Sequence, residues 1–216
     1  MEINDKFNHL KWNPLMIIQD KSGEDKSSLE YIIQNIVLKS SLKSSNNQDS
    51  QLNLNFLKKK LTNVEYDPKR FPGLFLRFYN PKCVFIIFRN GNLIITGIKS
   101  FNDIEKVIEK LIVKLKSVIK IELEPKNVKT ITVNIVITAN FYKRINLDLT
   151  AIKLENSIYE PEVFPGLVYN CKNPIKCVFL IFSTGKIVLT GVHNEALINP
   201  ALINLGRLLK KKDLFL

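Results

Sequence analysis

The apolar positions of the chain form continuous runs of four to seven residues, of which KCVFIIF at 82–88 and NLIITG at 92–97 are the clearest. Such runs are typical of strands that are covered on both faces. Asn90-Gly91 separates the two runs and predicts a tight hairpin turn between them. Helices would cover one face of these strands in a lone domain, so the pattern indicates that a binding partner covers the other face.

Helical periodicity is strongest over residues 101–119, where apolar side chains recur at steps of three and four residues. Ser100 and Asp103 predict a cap at the start of this helix. One exposed side of the helix is predicted to be basic, with lysines at Lys106, Lys110 and Lys114.

Weaker patterns predict three more helical segments. Residues 52–61 and 147–156 each predict a short helix. Residues 194–210 predict a partial helix that is interrupted by Pro200 and Gly206.

Two short runs rich in β-branched residues, at 31–38 and 130–139, predict further strands. The polar, low-complexity stretch 39–51 predicts an extended loop.

The chain contains an internal duplication. Three segments recur in the same order, at 35–37 and 134–136 (NIV), at 71–74 and 164–167 (FPGL), and at 81–97 and 175–191. The last pair is identical at nine of 17 positions, and the offsets of the three pairs are 99, 93 and 94 residues. Offsets this similar indicate one duplication with small insertions between the copies.

The repeat predicts both the fold class and the domain organisation. Each copy reads as a strand, a helix, several strands in hairpins and a second helix. We therefore expect an α+β protein in which two pseudo-symmetric repeats form one antiparallel sheet with helices on one side. The boundaries are a flexible N-terminal arm at 1–28, a first repeat at 29–120 and a second repeat at 121–216.

Charge favours an anionic partner. Lys and Arg number 32 against 20 acidic residues, giving a net charge of +12, which is typical of proteins that bind nucleic acid or a membrane surface. A solvated basic surface without a partner is the alternative. No apolar run approaches the length of a membrane span, so we expect a soluble protein with no membrane partner.

Cysteine and histidine usage argues against a metal site or an enzyme. The three cysteines form no C-x-x-C pair, and the two histidines have no neighbours at metal-ligand spacing. Cys83 and Cys177 are repeat equivalents, and we expect them to pack as small apolar residues. No catalytic triad, metal-ligand or phosphate-loop pattern is present, so we expect a non-enzymatic protein without catalytic residues or cofactors.

Several ordered motifs resemble those of the TATA-box-binding protein family. NVEYDPKRFPGLFLRF at 63–78 and YEPEVFPGLVY at 159–169 resemble its two signature segments. IIFRNGNLIITG at 86–97 and LIFSTGKIVLTG at 180–191 match the segment that follows each of them. QNIV and VNIV, at 34–37 and 133–136, match the strand that opens each half. The resemblance extends over about residues 31–210.

The resemblance implies a saddle-shaped fold, with one curved antiparallel sheet, helices on the convex face and DNA on the concave face. It implies a general transcription initiation factor that binds and bends TATA-type, A·T-rich promoter DNA through the minor groove and nucleates the preinitiation complex. The alternative is a paralogue that acts mainly as a protein scaffold and binds DNA with weak sequence specificity.

Site residues follow from the same motifs. The positions expected to wedge between base steps are Phe71, Phe88, Phe164 and Phe182. The positions expected on the minor-groove floor are Asn35, Asn134, Val37, Val136, Ile86, Leu180, Ile94, Val188, Thr96 and Thr190. The cations expected near the wedges, facing phosphates, are Lys69, Arg70, Arg77, Lys82, Lys176 and Lys186.

Protein partners are implied as well. Glu160, Glu162 and Val163 match positions that contact transcription factor IIB, and the basic helix at 101–119 resembles the surface used by transcription factor IIA. The RNA polymerase machinery is the further partner. A homodimer is expected when DNA is absent, because an apolar concave face would otherwise be a large exposed patch.

The chain departs from the family pattern at Lys39, Asn92 and Asn170, where Thr or Ser, Lys and Arg are expected. Lysine- and asparagine-rich loops favour a eukaryotic source with an AT-biased genome, and hence a location in the nucleus.

Overall fold

The computed structural model describes residues 30–42, 51–119 and 124–216. The chain divides into two compact units. The first unit comprises residues 33–137 with 191–194, and the second comprises the described residues 30–32 together with 138–190 and 195–216. The predicted arm at 1–28 and most of the predicted loop at 39–51 lie outside the described residues.

Antiparallel strands form the sheet of the first unit. They are β1 (Tyr31–Ser41), β2 (Val64–Glu65), β3 (Leu74–Tyr79), β4 (Lys82–Ile87) and β5 (Asn92–Ile98), in the order β2-β3-β4-β5-β1. The next strand, β6 (Thr130–Asn140), lies beside β1 and contributes residues to both units.

The second unit repeats the arrangement. Its strands are β7 (Ser157–Ile158), β8 (Leu167–Cys171), β9 (Cys177–Ile181) and β10 (Lys186–Val192), in the order β6-β10-β9-β8-β7. The strands predicted from the two NIV segments are therefore confirmed, and each is paired with the last strand of its own repeat.

Helices pack on one face of the strands in the first unit. Helix α1 (Leu54–Lys60) and helix α2 (Ile104–Lys116) contribute Leu57, Val107 and Leu111 to a core that also contains Phe85 and Ile95 of the strands. Helices α3 (Leu147–Lys153) and α4 (Ile198–Lys211) supply buried apolar residues in the second unit. The α+β class with antiparallel strands, predicted from the repeat, is confirmed.

Pro200 and Gly206 do not interrupt the last helix, so this prediction is wrong. Helix α4 is continuous from Ile198, after a single 3-10 turn at Glu195–Leu197. Pro200 lies in the first helical turn, where backbone N–H groups need no partner within the helix. Gly206 is buried in the helix, where the absence of a side chain allows close packing.

The boundary between the first strand and the loop that follows it also differs from the prediction. β1 continues to Ser41, so Lys39 belongs to a strand rather than to the predicted loop. Buried Ser40 donates to the Lys129 carbonyl at 2.8 Å, and the Leu42 N–H donates to the Gly91 carbonyl at 2.9 Å. These contacts hold the end of the strand.

The continuous apolar runs are buried on one face only. In β4, Cys83, Phe85 and Ile87 are fully buried, whereas the intervening Val84 and Ile86 are partly exposed. The predicted cover of helices is therefore confirmed for one face, and the other is an apolar face open to a ligand. Within the described residues, no helix has both the length and the apolar character needed to cross a membrane.

Candidate nucleic-acid interface

Cross-strand register aligns the apolar residues on the open face of the first unit. Phe75 of β3 lies opposite Ile86 of β4, which lies opposite Ile94 of β5. Val84 lies opposite Thr96 in the next row along the same strands. Residues directly opposite in a sheet share a face, so the predicted floor residues Ile86, Ile94 and Thr96 are brought together.

A pair of phenylalanines closes one end of this face. Phe71 precedes β3 and Phe88 follows β4, and their ring centroids lie 6.0 Å apart at an interplanar angle of 58°. Phe71 also packs on Phe75, with centroids 5.3 Å apart, and keeps 38% of its surface exposed. The two predicted wedges of this half therefore form one aromatic cluster at the surface.

A turn before each signature segment positions its phenylalanine. The Asp67 carbonyl accepts from the N–H of Arg70 at 3.1 Å and from that of Phe71 at 3.0 Å. The Glu160 carbonyl accepts from Val163 and Phe164 in the same way, both at 2.9 Å. The repeat thus extends to the backbone that presents the ring.

The second unit carries the equivalent pair and apolar face. The rings of Phe164 and Phe182 have centroids 5.9 Å apart and meet edge to face, at 67°. Val168, Leu180 and Val188 lie opposite one another across three strands and are all partly exposed. The predicted residues Leu180 and Val188 therefore share a face.

Two glycines that were not predicted as site residues make room for the rings. A β-carbon built on Gly73 would lie 2.7 Å from Phe71 Cε1 and 2.8 Å from Ile86 Cγ2. One built on Gly166 would lie 2.8 Å from Phe164 Cε1 and 3.0 Å from Phe182 Cε1. The recurrence of FPG in both copies was the available signal, because a glycine kept next to an aromatic residue indicates a close approach.

Asn35 lies beside the last strand of the first repeat. Its Oδ1 accepts from the Gly97 N–H at 2.7 Å, while its Nδ2 donates to the Thr96 hydroxyl oxygen at 3.1 Å. Since a backbone N–H can only donate, this contact assigns the amide oxygen to the protein and leaves the amide nitrogen as the donor. An amide nitrogen has two N–H groups, so it can donate to Thr96 and to a ligand acceptor together.

Asn134 repeats this contact in the first unit. Its Oδ1 accepts from the Gly191 N–H at 2.8 Å. Gly97 and Gly191 have φ values of +90° and +86°, a region that side chains other than glycine rarely adopt. Neither glycine was predicted as a site residue, although both end the recurring ITG and LTG strings. Val37 and Val136 follow the two asparagines by two residues and are partly exposed.

The predicted phosphate-facing cations are exposed but lie in two places. Lys69 and Arg70 precede Phe71 directly, and the Lys186 carbonyl accepts from the Phe182 N–H at 3.0 Å. Lys82 and Lys176 lie at the opposite ends of their strands from the phenylalanines, about 20 Å away at the usual rise per residue. The expectation that all six lie near the wedges is therefore wrong for these two.

Arg77 occupies an intermediate position. It lies opposite Val84 on the open face, and its guanidinium pairs with Glu65 at 3.4 Å while both side chains stay largely exposed. An exposed pair of this kind is weak, so Arg77 can exchange its carboxylate partner for another anion.

Two departures from the family pattern lie on the open face. Lys39 is opposite Ile94 and exposed, so a cation stands on the apolar face near the first phenylalanine pair. Lys39, Phe88, Asn92, Ile94 and Val133 line a shallow cavity of about 360 Å³. Asn170 lies opposite Val178 in the second unit and is exposed.

The exposed turn before Phe164 contains the candidate partner residues Glu160, Glu162 and Val163, and Val163 keeps 79% of its surface exposed.

Lysines on the predicted basic side of helix α2 make local contacts within the protein. Lys110 Nζ donates to the Asn80 carbonyl at 2.6 Å, and Lys114 Nζ donates to the Thr62 hydroxyl at 3.2 Å.

Cys83 and Cys177 are buried, which confirms their expected packing role. Burial raises the pKa of the Cys83 thiol to about 11 and that of the Cys177 thiol to about 12.

Over residues 30–42, 51–119 and 124–216, no cluster of three or more His, Cys, Asp or Glu side chains could hold a metal ion.

Two antiparallel units of the same topology, each with a half-exposed apolar face ending in a phenylalanine pair, define a duplicated α+β protein with two equivalent candidate binding faces. The profile of the family described as "Transcription factor TFIID (or TATA-binding protein, TBP)" matches residues 30–118 and 129–212. The chain belongs to this family.

Relatives support this assignment. The TATA-box-binding protein of Sulfolobus acidocaldarius is 41% identical over 154 residues, which cover 71% of this chain and 76% of the relative. That of Pyrococcus horikoshii is 40% identical over 191 residues, covering 88% and 95%. The solved structure of Methanococcus jannaschii TBP matches with a TM-score of 0.69 and 36% identity, covering 85% of this chain and 98% of that one. The fold is that of the TATA-binding proteins.

Proposed function

We propose that this protein is a general transcription initiation factor that binds TATA-type, A·T-rich DNA in the minor groove, bends it and nucleates a preinitiation complex. The observation that carries the proposal is the pairing of Phe71 with Phe88 and of Phe164 with Phe182, each at the end of a half-exposed apolar face. The names of the relatives, which are TATA-box-binding proteins, support it.

Bending follows from where the rings lie. Apolar side chains that enter between base steps unstack them and kink the duplex away from the protein, as is known for TATA-binding proteins. A ring can act as a wedge only if its backbone is fixed. A mobile ring would be displaced by the stacked base pairs and would not unstack them. The turns at Asp67 and Glu160 and the close contacts at Gly73 and Gly166 supply that support.

Selectivity for A·T pairs follows from the floor of the site. A·T and T·A both present only acceptors in the minor groove. The amide oxygens of Asn35 and Asn134 accept from glycine N–H groups, and their amide nitrogens would donate to the acceptors of the base pairs. Ile86 and Ile94 offer no acceptor to the exocyclic amine of guanine, which would be buried without a partner. Steps such as TA, which deform readily, add to the preference.

Phosphate contacts supply affinity without reading sequence. Among the predicted cations, Lys69, Arg70 and Lys186 lie next to the phenylalanines and would reach phosphates at the kinks. Lys82 and Lys176, together with Arg77, would contact phosphates farther along the strands. The net charge of +12 favours association with any polyanion, so this part of the binding free energy decreases with salt.

The exposed turn at Glu160, Glu162 and Val163 is the proposed docking site for a transcription factor IIB homologue. Two carboxylates around an exposed valine fit a basic partner surface with an apolar centre. Helix α2 is the proposed surface for a transcription factor IIA homologue. The RNA polymerase machinery would join through these factors.

Without DNA, a second copy of the chain is the proposed occupant of the apolar open faces. Val84, Ile86 and Ile94 are partly exposed in one unit, and Val168, Leu180 and Val188 in the other. Sedimentation at increasing protein concentration would detect the dimer, and TATA DNA should dissociate it.

The nuclear location stays a prediction, because the relatives named above are archaeal. The repeat boundaries at 29–120 and 121–216 stay a prediction as well.

The test is fluorescence energy transfer between dyes at the two ends of a short TATA duplex, with a G·C-rich duplex as a control. Wild type should shorten the end-to-end distance on the TATA duplex only. The variants Phe71→Ala/Phe88→Ala and Phe164→Ala/Phe182→Ala should each lose most of the bend.

Phe56→Ala provides a matched control, because Phe56 is as exposed as Phe71, at 38%, but lies on helix α1. This variant should bend DNA like wild type. If wild type binds both duplexes equally and bends neither, DNA bending is excluded and a scaffold role takes its place.

A further inference from the structure

Two cysteines face each other across a hairpin of the second unit. Cys171 ends β8 and Cys177 begins β9, and they are direct register partners. Direct partners on antiparallel strands have Cα atoms about 4.5 or 5.5 Å apart, depending on the type of pair. Both separations lie within the range that a disulfide spans.

The local contacts place both sulfur atoms on the same side of this hairpin. As direct cross-strand partners, Cys171 and Cys177 project their side chains to the same face of the sheet. Cys171 Sγ lies 3.3 Å from the Asn173 carbonyl oxygen and Cys177 Sγ lies 3.4 Å from that of Ile175, so both thiols donate into the loop that joins them. Tyr169 and Phe179, the pair two residues farther along the strands, stack with centroids 6.2 Å apart.

The first unit provides an internal comparison. There, Cys83 lies opposite Phe78 in the equivalent register, so the corresponding hairpin has only one sulfur atom. The cysteine pair is therefore not a general property of the repeat.

We propose that Cys171 and Cys177 form a dithiol site that is oxidised to a cross-strand disulfide by anionic, low-molecular-weight disulfides such as oxidised glutathione. Exposed Lys172 and Lys176 flank the site in the loop and favour an anionic reagent. The bond would close residues 172–176 into a covalent loop, whose residues Lys172 and Asn173 help to line a cavity of about 440 Å³.

The accessibility of the two thiols sets the order of the steps. Cys171 is partly exposed, so its thiolate attacks one sulfur of glutathione disulfide and one glutathione thiolate leaves. Cys177, which is buried, then loses its proton, and its thiolate attacks Cys171 Sγ and displaces the second glutathione. The cysteine pair loses two electrons and two protons, and one glutathione disulfide is reduced to two thiols.

The experiment incubates the full-length reduced protein with excess oxidised glutathione and follows intact mass and free thiols. Wild type should lose the mass of two hydrogen atoms, and its free thiols should fall from three to one. Trypsin cleaves after Lys172 and Lys176, so the product should contain a peptide ending in Cys171-Lys172 linked to one that begins at Cys177.

Two variants separate the proposal from alternatives. Cys83→Ser should still form the bond, whereas Cys171→Ser should not form it. Three free thiols in wild type after the same exposure, a bond to Cys83, or a glutathione adduct that stays on Cys171 would each overturn the proposal. DNA bending is measured separately, so failure here leaves the proposed DNA-binding function untouched.

Discussion

The Gly97 N–H donates to Asn35 Oδ1 over 2.7 Å, and this contact determines which end of the Asn35 amide can face a ligand. The oxygen is held by backbone, so the nitrogen is the group that can donate. A minor-groove A·T pair offers acceptors only, and the two sets of groups are complementary. The same contact recurs between Gly191 and Asn134, at 2.8 Å.

Asn35→Asp is therefore expected to separate folding from binding. The carboxylate keeps an oxygen for the Gly97 N–H but has no N–H to donate, and it places a negative charge against the DNA. We expect the free energy of unfolding to change by less than about 1 kcal/mol, and affinity for a TATA duplex to fall by about 2 kcal/mol or more. Urea unfolding and a DNA titration would measure the two quantities. Retained affinity would contradict the assigned amide orientation.

Gly166→Ala should weaken bending without removing any side chain. The added methyl group would lie 2.8 Å from Phe164 Cε1, so the rings of Phe164 and Phe182 must shift. Overpacking of this kind costs about 1–3 kcal/mol. We expect a smaller bend in the energy-transfer assay. Thr184→Ala, at an exposed turn position beside Phe182, is the control and should bend DNA normally.

Gly97→Ala should destabilise the first unit. Its φ of +90° is strained for alanine, and the new methyl group would lie 3.3 Å from the Cys83 Cα. Strain at such positions costs about 1–3 kcal/mol. A lower midpoint in urea unfolding is the expected readout. An unchanged midpoint would mean that this strand end relaxes without cost.

Lys39→Thr should reduce the salt dependence of DNA binding. Lys39 stands on the open face opposite Ile94, where the family pattern predicts a small hydroxyl residue. If Lys39 neutralises one phosphate, the slope of log affinity against log salt should become less steep by about 0.9. Lys60→Thr, at the exposed end of helix α1, is the comparison and should leave the slope unchanged. Equal slopes for wild type and Lys39→Thr would place Lys39 away from the DNA.

Alkylation of Cys83 should be slow and dependent on pH. Burial raises the pKa of this thiol to about 11, from an ordinary value of 9.0. Only the thiolate reacts, so at pH 8 the rate should be about 100-fold below that of the same cysteine in urea. The rate should rise about tenfold per pH unit until the pH approaches 11, because the raised pKa keeps the folded thiol protonated over that range. A rate in the folded protein equal to that in urea would contradict this burial.

Local sequence patterns were sufficient to identify the family, the duplication and the residues that each half contributes. These follow from local patterns that repeat: FPGL, NIV and the apolar hairpin strands are recognisable without any knowledge of their neighbours. Helix α4 was predicted less well, because the cost of a proline depends on where the helix begins. Pro200 turned out to lie in its first turn.

Which side chains meet depends on how the strands pair in the folded protein. Register showed that Ile86 and Ile94 are neighbours, that Arg77 lies opposite Val84, and that Cys171 faces Cys177. The structure also explains why FPG needs its glycine. Two rings fill the space beside Gly73, one from Phe71 in the same motif and one from Phe88 at the end of a neighbouring strand. Contacts of this kind join residues on different strands, and pairing between strands fixes them where local periodicity cannot.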